Sequence, residues 1–219
     1  DRLVSRGLGD VYKRQAGVKA ARSAIEFAVK NKIKFLTLFA FSTENWGRSK
    51  NEVKALMELF VKAMQEETPQ LIENFVRVNF IGDINRLEKA IINKIIKTKG
   101  LTNDYEPKMN LNIAISYGGR WDIVQAIKEI SKDLSKKKIK EKNINEDLLS
   151  SYLDTSNFPD PDLVIRTGNQ KRLSNFLIWQ AAYSELIFLK KLWPDFKNTD
   201  FKRALDEYKR RKRNFGLRS

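Results

Sequence analysis

The chain has 219 residues, 42% of them hydrophobic, which is enough to bury one sizeable core, and no break in composition divides it, so a single domain is expected. It contains no cysteine and no histidine, which excludes disulfides, zinc thiolate and imidazole metal sites, cysteine nucleophiles and serine–histidine triads, and leaves Asp, Glu, Asn, Arg and Lys to carry any chemistry. A formal charge of +15 favours polyanionic partners such as diphosphates, nucleic acid or an anionic membrane surface, although much of the excess is lysine on expected helix exteriors.

In chain order, Ala16 to Lys30 has helical periodicity, and Ile33 to Phe41 is an almost unbroken apolar run of strand length, the pattern of a strand covered on both faces. Ser49 and Glu52 form a capping box for a long helix whose Val53, Leu56, Met57, Phe60 and Met64 recur at helical spacing. Phe75 to Ile81 is the next strand, Leu87 to Lys97 a helix, Met109 to Ser116 a third strand and Trp121 to Leu134 a helix that ends in the lysine-rich connector Lys136 to Lys142. Asn145 caps a short helix to Leu153. Leu163 to Ile165 then reads as a strand, Ser174 to Ala182 as a helix, Glu185 to Leu189 as a strand and Thr199 to Arg213 as a basic terminal helix. Strands alternating with helices predict an α/β fold, a mainly parallel central sheet with helices on both faces. No apolar run approaches the roughly 20 residues of a membrane-spanning helix, and the N-terminus lacks the layout of a secretory signal, so a cytoplasmic protein is expected.

In open sheets of this kind ligands bind beyond the carboxyl ends of the strands. Three polar clusters fall there: Ser42-Thr43-Glu44-Asn45-Trp46-Gly47-Arg48, Tyr117-Gly118-Gly119-Arg120, and Arg166 to Asn175 with its cations Arg166, Lys171 and Arg172. Guanidinium groups match phosphate oxygens, and the backbone N–H groups of a helix starting near Ser174 would add to the same anion site, so a diphosphate is a natural occupant. Taken singly, each cluster also reads as turn chemistry, a strand terminator or surface salt bridging. Neither a P-loop nor a strand-linked G-x-G-x-x-G is present.

At these residues the chain resembles the undecaprenyl diphosphate synthase family of bacterial cis-prenyltransferases. The resemblance is carried by Phe41-Ser42-Thr43-Glu44-Asn45-Trp46, Phe80-Ile81-Gly82-Asp83, Tyr117-Gly118-Gly119-Arg120, Pro159-Asp160-Pro161-Asp162-Leu163, Ile165-Arg166-Thr167-Gly168, Arg172-Leu173-Ser174-Asn175-Phe176, Ala182-Tyr183-Ser184-Glu185-Leu186 and Leu192-Trp193-Pro194-Asp195-Phe196. It implies a transferase that condenses isopentenyl diphosphate with an allylic primer, farnesyl diphosphate, into a long cis-polyprenyl diphosphate such as undecaprenyl diphosphate. By the same resemblance, Arg166, Arg172, Leu173 and Ser174 bind the diphosphate of isopentenyl diphosphate, and Glu185 helps hold Mg²⁺. Ser42, Thr43, Glu44, Trp46 and Arg48 line the substrate site around Asn45, the catalytic position. A neutral amide is a poor base, so an orienting role suits Asn45 better than proton removal. A homodimer, an apolar tunnel for the growing chain and a transient contact with the membrane surface for product release are implied as well. The helix from Asn51 to Met64, with Leu59 and Ala63, is a candidate tunnel wall, and Ala40 and Ile113 are candidate floor positions.

The family begins with a strand ending in Met-Asp-Gly-Asn-Gly-Arg-Trp, whose aspartate coordinates Mg²⁺, and that aspartate would fall before residue 1. Residues 1–15 do not continue the pattern. Asp10 and Arg14 align with an arginine and a histidine of the family's allylic diphosphate site, and Asp10 inverts the charge. We therefore expect an unrelated or artefactual leader over residues 1–15, a prenyltransferase domain truncated at its N-terminus over 16–216, and a tail at 217–219. Asn214-Phe215-Gly216 stands where the family often has Arg-Phe-Gly, with Arg213 as a substitute. Two other readings stay open at this point. One is a non-catalytic subunit or inactive remnant of the same fold, motivated by the missing aspartate. The other is nucleic-acid binding, motivated by the charge and by Lys209 to Arg213; the resemblance points away from nucleic acid.

Overall fold

The computed structural model describes residues 8–211, with side chains from Gln15 onward. Among the described residues there are five strands and six α-helices, which alternate as far as α4. The helix expected from Ala16 begins earlier, as α1 (Leu8–Lys30), and leads into β1 (Phe35–Ser42), a 3-10 turn at Thr43–Gly47 and α2 (Lys50–Glu73). As the capping pattern predicts, the Ser49 hydroxyl accepts the Glu52 N–H at 3.3 Å and stops α2 from fraying at its start. Then follow β2 (Val76–Ile81), α3 (Lys89–Leu101), β3 (Met109–Tyr117), α4 (Gly119–Ser135), α5 (Glu146–Tyr152), β4 (Leu163–Arg166), β5 (Glu185–Phe188) and α6 (Asn198–Arg210).

The strand pairings among these residues are all parallel. Three strands lie in the order β1-β3-β2, while β4 and β5 pair separately. Among the described residues, β1 and β4 are each hydrogen-bonded along one edge only. Helix α1 spans the two sheets. Its Ala20 and Ala24 pack with Ile187 of β5 and with Phe201 and Ala204 of α6, and one turn on, Ala28 packs with Val76, Val78, Met109 and Leu111 of the larger sheet. Alanines four residues apart share one helix face and let the backbone approach closely.

A third apolar cluster joins Phe41 and Ile115 to Met57 and Met64 of α2 and to Ile91 and Ile95 of α3. A fourth, with Ala114, Tyr117 and Leu177, packs Phe39, Trp121 and Phe176 around it. Clusters bearing α2 and α3 on the one hand and Trp121 of α4 on the other are those of an α/β sheet covered on both faces.

The expected helix over 174–182 does not form. Ser174, Asn175 and Leu177 take left-handed backbone angles, with φ of 51°, 63° and 45°, which a right-handed helix cannot accommodate. Tertiary hydrogen bonds replace helical ones, with Gly119 N–H donating to Asn175 O at 2.7 Å. The anion site expected at a helix start near Ser174 is therefore absent as such.

Candidate active site

At the carboxyl end of β1 the register against β3 slips twice between Phe39 and Ser42, and such irregularities re-aim side chains at sheet rims. The chain then closes into the 3-10 turn, where the Asn45 side-chain oxygen accepts the Ser42 N–H at 2.9 Å. With its oxygen engaged by its own turn, Asn45 has its NH₂ group left to offer a ligand. That is a donor, suited to a phosphate oxygen and unsuited to removing a proton.

A cavity of about 470 Å³ opens between this rim and the end of β4. Phe39, Ala40, Phe41, Ser42, Glu44, Asn45, Arg166, Ser174 and Asn175 line it. Ser42, Glu44, Asn45, Arg166 and Ser174 are all expected from the sequence, and Asn175 is an addition. It joins three segments: its Oδ1 accepts the Arg120 N–H at 2.9 Å, its backbone oxygen accepts Gly119, and its Nδ2 donates to Glu44 Oε1 at 2.7 Å. Burial would raise the pKa of Glu44, but hydrogen bonds from Asn175, from its own backbone N–H, and from Ser42 and Thr43 outweigh it and hold the carboxyl below its ordinary value. Glu44 is thus an anion in the cavity wall. Gly119 is required by this packing, since a Cβ there would fall 2.6 Å from Ile178 Cγ1.

The remaining expected residues lie outside the lining. Thr43 donates to Glu44 at 3.2 Å, and Arg48 is ion-paired with Glu52 at 2.8 Å on the surface. Trp46 turns toward the apolar cluster of α2 and α3; its Nε1 donates to Ser116 Oγ at 2.9 Å, and the Arg86 guanidinium lies over its ring at 4.7 Å from the centroid. Arg172 is exposed and Leu173 half-buried next to the lining residue Ser174. Glu185 is placed least as expected. It pairs with Leu163 at the amino end of β5, whereas Arg166 sits at the carboxyl end of β4. At about 3.3 Å per residue, the offset along the strands is on the order of 10 Å. Its carboxylate is held by Arg211, with Nη1 to Oε2 at 2.6 Å. Among the described residues, no group of three or more Asp or Glu gathers to hold a metal ion. Asp10 and Arg14 lie on α1, but their side chains, like Arg213 to Gly216, are outside the described residues.

The prenyltransferase family profile, that of the undecaprenyl diphosphate synthases, matches residues 5–216. The chain belongs to this family. Similar proteins include the ditrans,polycis-undecaprenyl-diphosphate synthase, (2E,6E)-farnesyl-diphosphate specific, of Blochmanniella floridana, 45% identical over 96% of this chain and 84% of its own length. An isoprenyl transferase of Clostridium tetani is 44% identical over 99% of this chain and 83% of its own length. Among solved structures, lavandulyl diphosphate synthase from Lavandula x intermedia, in complex with dimethylallyl diphosphate, superposes with a TM-score of 0.89 at 35% identity over 92% of this chain and 87% of that one. A probable undecaprenyl diphosphate synthase from Campylobacter jejuni gives 0.81 at 39% identity, with 93% of each chain covered. The α/β fold and the family expected from the sequence are both those of these relatives.

Proposed function

We propose that the chain condenses isopentenyl diphosphate with an allylic diphosphate, farnesyl diphosphate in the first round, to build a long cis-polyprenyl diphosphate. The observation that carries this reading is the cavity that Arg166 and Ser174 share with Ser42 and Asn45, where a guanidinium, two hydroxyls and an amide NH₂ converge. Arg166 supplies the charge and the paired donors that a diphosphate takes. Ser174 and Asn45 fix its orientation, while Phe39, Ala40 and Phe41 keep the isoprenoid end against apolar wall. Donors aimed at a fixed diphosphate hold the double bond of isopentenyl diphosphate in line with the allylic carbon, and positioning of this kind is a major source of rate. The proton lost after the new bond forms has no base in the described lining apart from Glu44, so a diphosphate oxygen is its natural acceptor.

The route for the product follows the apolar cluster beside the cavity. Phe41 belongs to both, and behind it stand Met57 and Met64, with Val53, Leu56 and Phe60 packed against them. Leu59 and Ala63 are half-buried on the same helix. Magnesium belongs to the proposal through its affinity for phosphate and carboxylate oxygens. Glu185, the carboxylate assigned to it by resemblance, does not fit that role while Arg211 holds it, so no step of the proposed chemistry passes through Glu185. Val124 and Ile127, three residues apart on α4, are neighbouring exposed apolar side chains that support self-association as a dimer. Among the described residues no helix is long and apolar enough to cross a membrane. Cytoplasmic residence with contact at the membrane surface for product release is part of the same reading.

The test is the affinity for isopentenyl diphosphate, measured by calorimetry on the parent chain, Arg166→Ala and Arg172→Ala. Removing Arg166 should weaken binding by about a hundredfold, the scale of a lost charge-assisted bidentate contact. Arg172→Ala, outside the lining, should cost less. Unchanged affinity in Arg166→Ala would overturn the placement of the diphosphate.

A further inference from the structure

Beneath the rim lies a pair of carboxylates that the proposed chemistry does not use. Asp122, in the first turn of α4, is 2% exposed. Its carboxylate accepts the Tyr117 hydroxyl at 3.0 Å, Gln180 Nε2 at 3.2 Å and the Asp154 N–H at 2.9 Å. Asp154 follows α5. As a residue it is open to solvent on its outer side, yet its own carboxylate accepts the Gly82 N–H at 2.7 Å. Gly82 is a demanding position: its φ is +119°, and a Cβ would fall 2.1 Å from Ile115 O. It opens a turn fixed on the other side by Asp83 N–H donating to Ser116 O at 3.1 Å. That turn carries Ile84 into the apolar cluster and Arg86 onto the face of Trp46, whose Nε1 is held by Ser116 Oγ.

A chain of contacts thus runs from Asp154 through the Gly82–Arg86 turn to the indole of Trp46, which borders the apolar route. We propose that Asp154 is a positioning residue that sets the pose of Trp46 through the Gly82–Arg86 turn, and so sets the affinity of the site for the isoprenoid end of its substrate. The inference rests on the reading of Trp46 as a substrate contact. A cation over an indole face is a directional contact, and Arg86 keeps it only while the turn is anchored. The anchor also responds to acid. Burial, with smaller contributions from the Asp122 and Asp83 charges, pushes the Asp154 carboxyl up to about 6, against the Gly82 hydrogen bond that lowers it. The groups facing Asp154 are Asp122 from α4, with Tyr117 of β3 bonded to it, and Asp83 from the turn. Protonation near pH 6 replaces a charge-assisted bond to Gly82 with a neutral one, which is weaker.

The experiment reads Trp46 directly, as the difference in fluorescence between the parent chain and Trp46→Phe, together with farnesyl diphosphate affinity. In the parent, the Trp46 emission should shift to the red between about pH 7.5 and 5, with a midpoint near 6. Asp154→Asn offers Gly82 only a neutral acceptor, as the protonated carboxyl does, and should show the parent's acid-pH emission at every pH, with no pH step. Asp154→Ala should show the red-shifted emission at every pH and bind farnesyl diphosphate about tenfold more weakly. A folded Asp154→Ala chain, judged by circular dichroism, with parent-like Trp46 emission overturns the inference, as does a pH step that survives in Asp154→Asn. If Trp46→Phe itself leaves farnesyl diphosphate affinity unchanged, the substrate-contact reading of Trp46 fails and takes the inference with it. If Trp46→Phe weakens binding and Asp154→Ala does not, only the role of Asp154 falls.

Discussion

Asn175 illustrates how a single side chain organises the rim without bringing any charge to it. Its amide and carbonyl tie the start of α4 to the segment before β5 and to Glu44 in the turn after β1. Asn175→Ala would hand the Arg120 N–H and Glu44, both exposed, over to water, at roughly 0.5–1.5 kcal/mol for each hydrogen bond lost. Asn175→Ala should therefore lower the unfolding midpoint in urea and weaken isopentenyl diphosphate binding together, whereas a purely local surface role would change neither. The sequence marks Asn175 only as one member of an amide-rich run, because which of several adjacent polar residues faces inward depends on the left-handed backbone at Ser174 and Asn175, and that is fixed by tertiary bonds. Ser42 and Arg166 are legible because they end β1 and β4, and Asn45 and Ser174 because they fall in the polar segments that follow those strands. Glu185 shows the limit of reading residues from their type: its side-chain chemistry suits a cation, but its place at the amino end of β5 and its bond to Arg211 follow from pairing and packing that residue type does not encode.

At the level of elements, β1 is legible as a nearly continuous apolar run and β2 and β3 as runs that begin by alternating apolar residues with Arg77, Asn79, Asn110 and Asn112, and the caps at Ser49 and Asn145 appear where the pattern puts them, with Asn145 Oδ1 accepting the Leu148 N–H at 2.8 Å. The segment over 174–182 looks helical in sequence because helical spacing of apolar residues also arises when a compact turn buries Leu177 and Ala181 against neighbouring elements. The junction of β2, α4 and the end of α5 has a pH signature. Burial is the main cause raising the pKa of both Asp154, to about 6, and Asp122, with hydrogen bonds opposing it. The folded state then retains protons that the unfolded chain releases near pH 4, so the stability these groups contribute is present below that point and is lost as pH rises through about 6. Carboxylates with lowered values, such as Asp133, Asp200 and Asp206, act in the opposite sense and only at lower pH. Urea unfolding should thus give a lower midpoint at about pH 7 than at about pH 5, and Asp154→Asn should narrow that difference. An equal difference in both chains would show that the junction does not hold the proton.

For the whole molecule, the excess of positive charge is a long-range property that raises the local concentration of diphosphates near the surface, while selection among them belongs to the cavity. The width of that cavity is a different matter, because its walls belong to two separate sheets: Phe39 to Ser42 come from one and Arg166 from the end of the other. No backbone ladder among the described strands sets the distance between them. Packing joins them instead: Ala20, Ala24 and Ala28 form a keel to which both hulls are fastened, and Leu36 of β1 shares a cluster with Leu163 and Ile165 of β4. A bulkier residue in its middle would act as a shim. Ala24, 2% exposed, changed to Leu would overfill the joint at a cost of about 1–3 kcal/mol, and the strain would be relieved most easily by the sheets moving apart. Ala24→Leu should retain its far-ultraviolet dichroism yet lose affinity for isopentenyl diphosphate, although the substitution lies on α1 and outside the cavity lining; retained affinity would mean that the gap is set elsewhere. In this architecture the smallest side chains in the core stand where the two sheets meet.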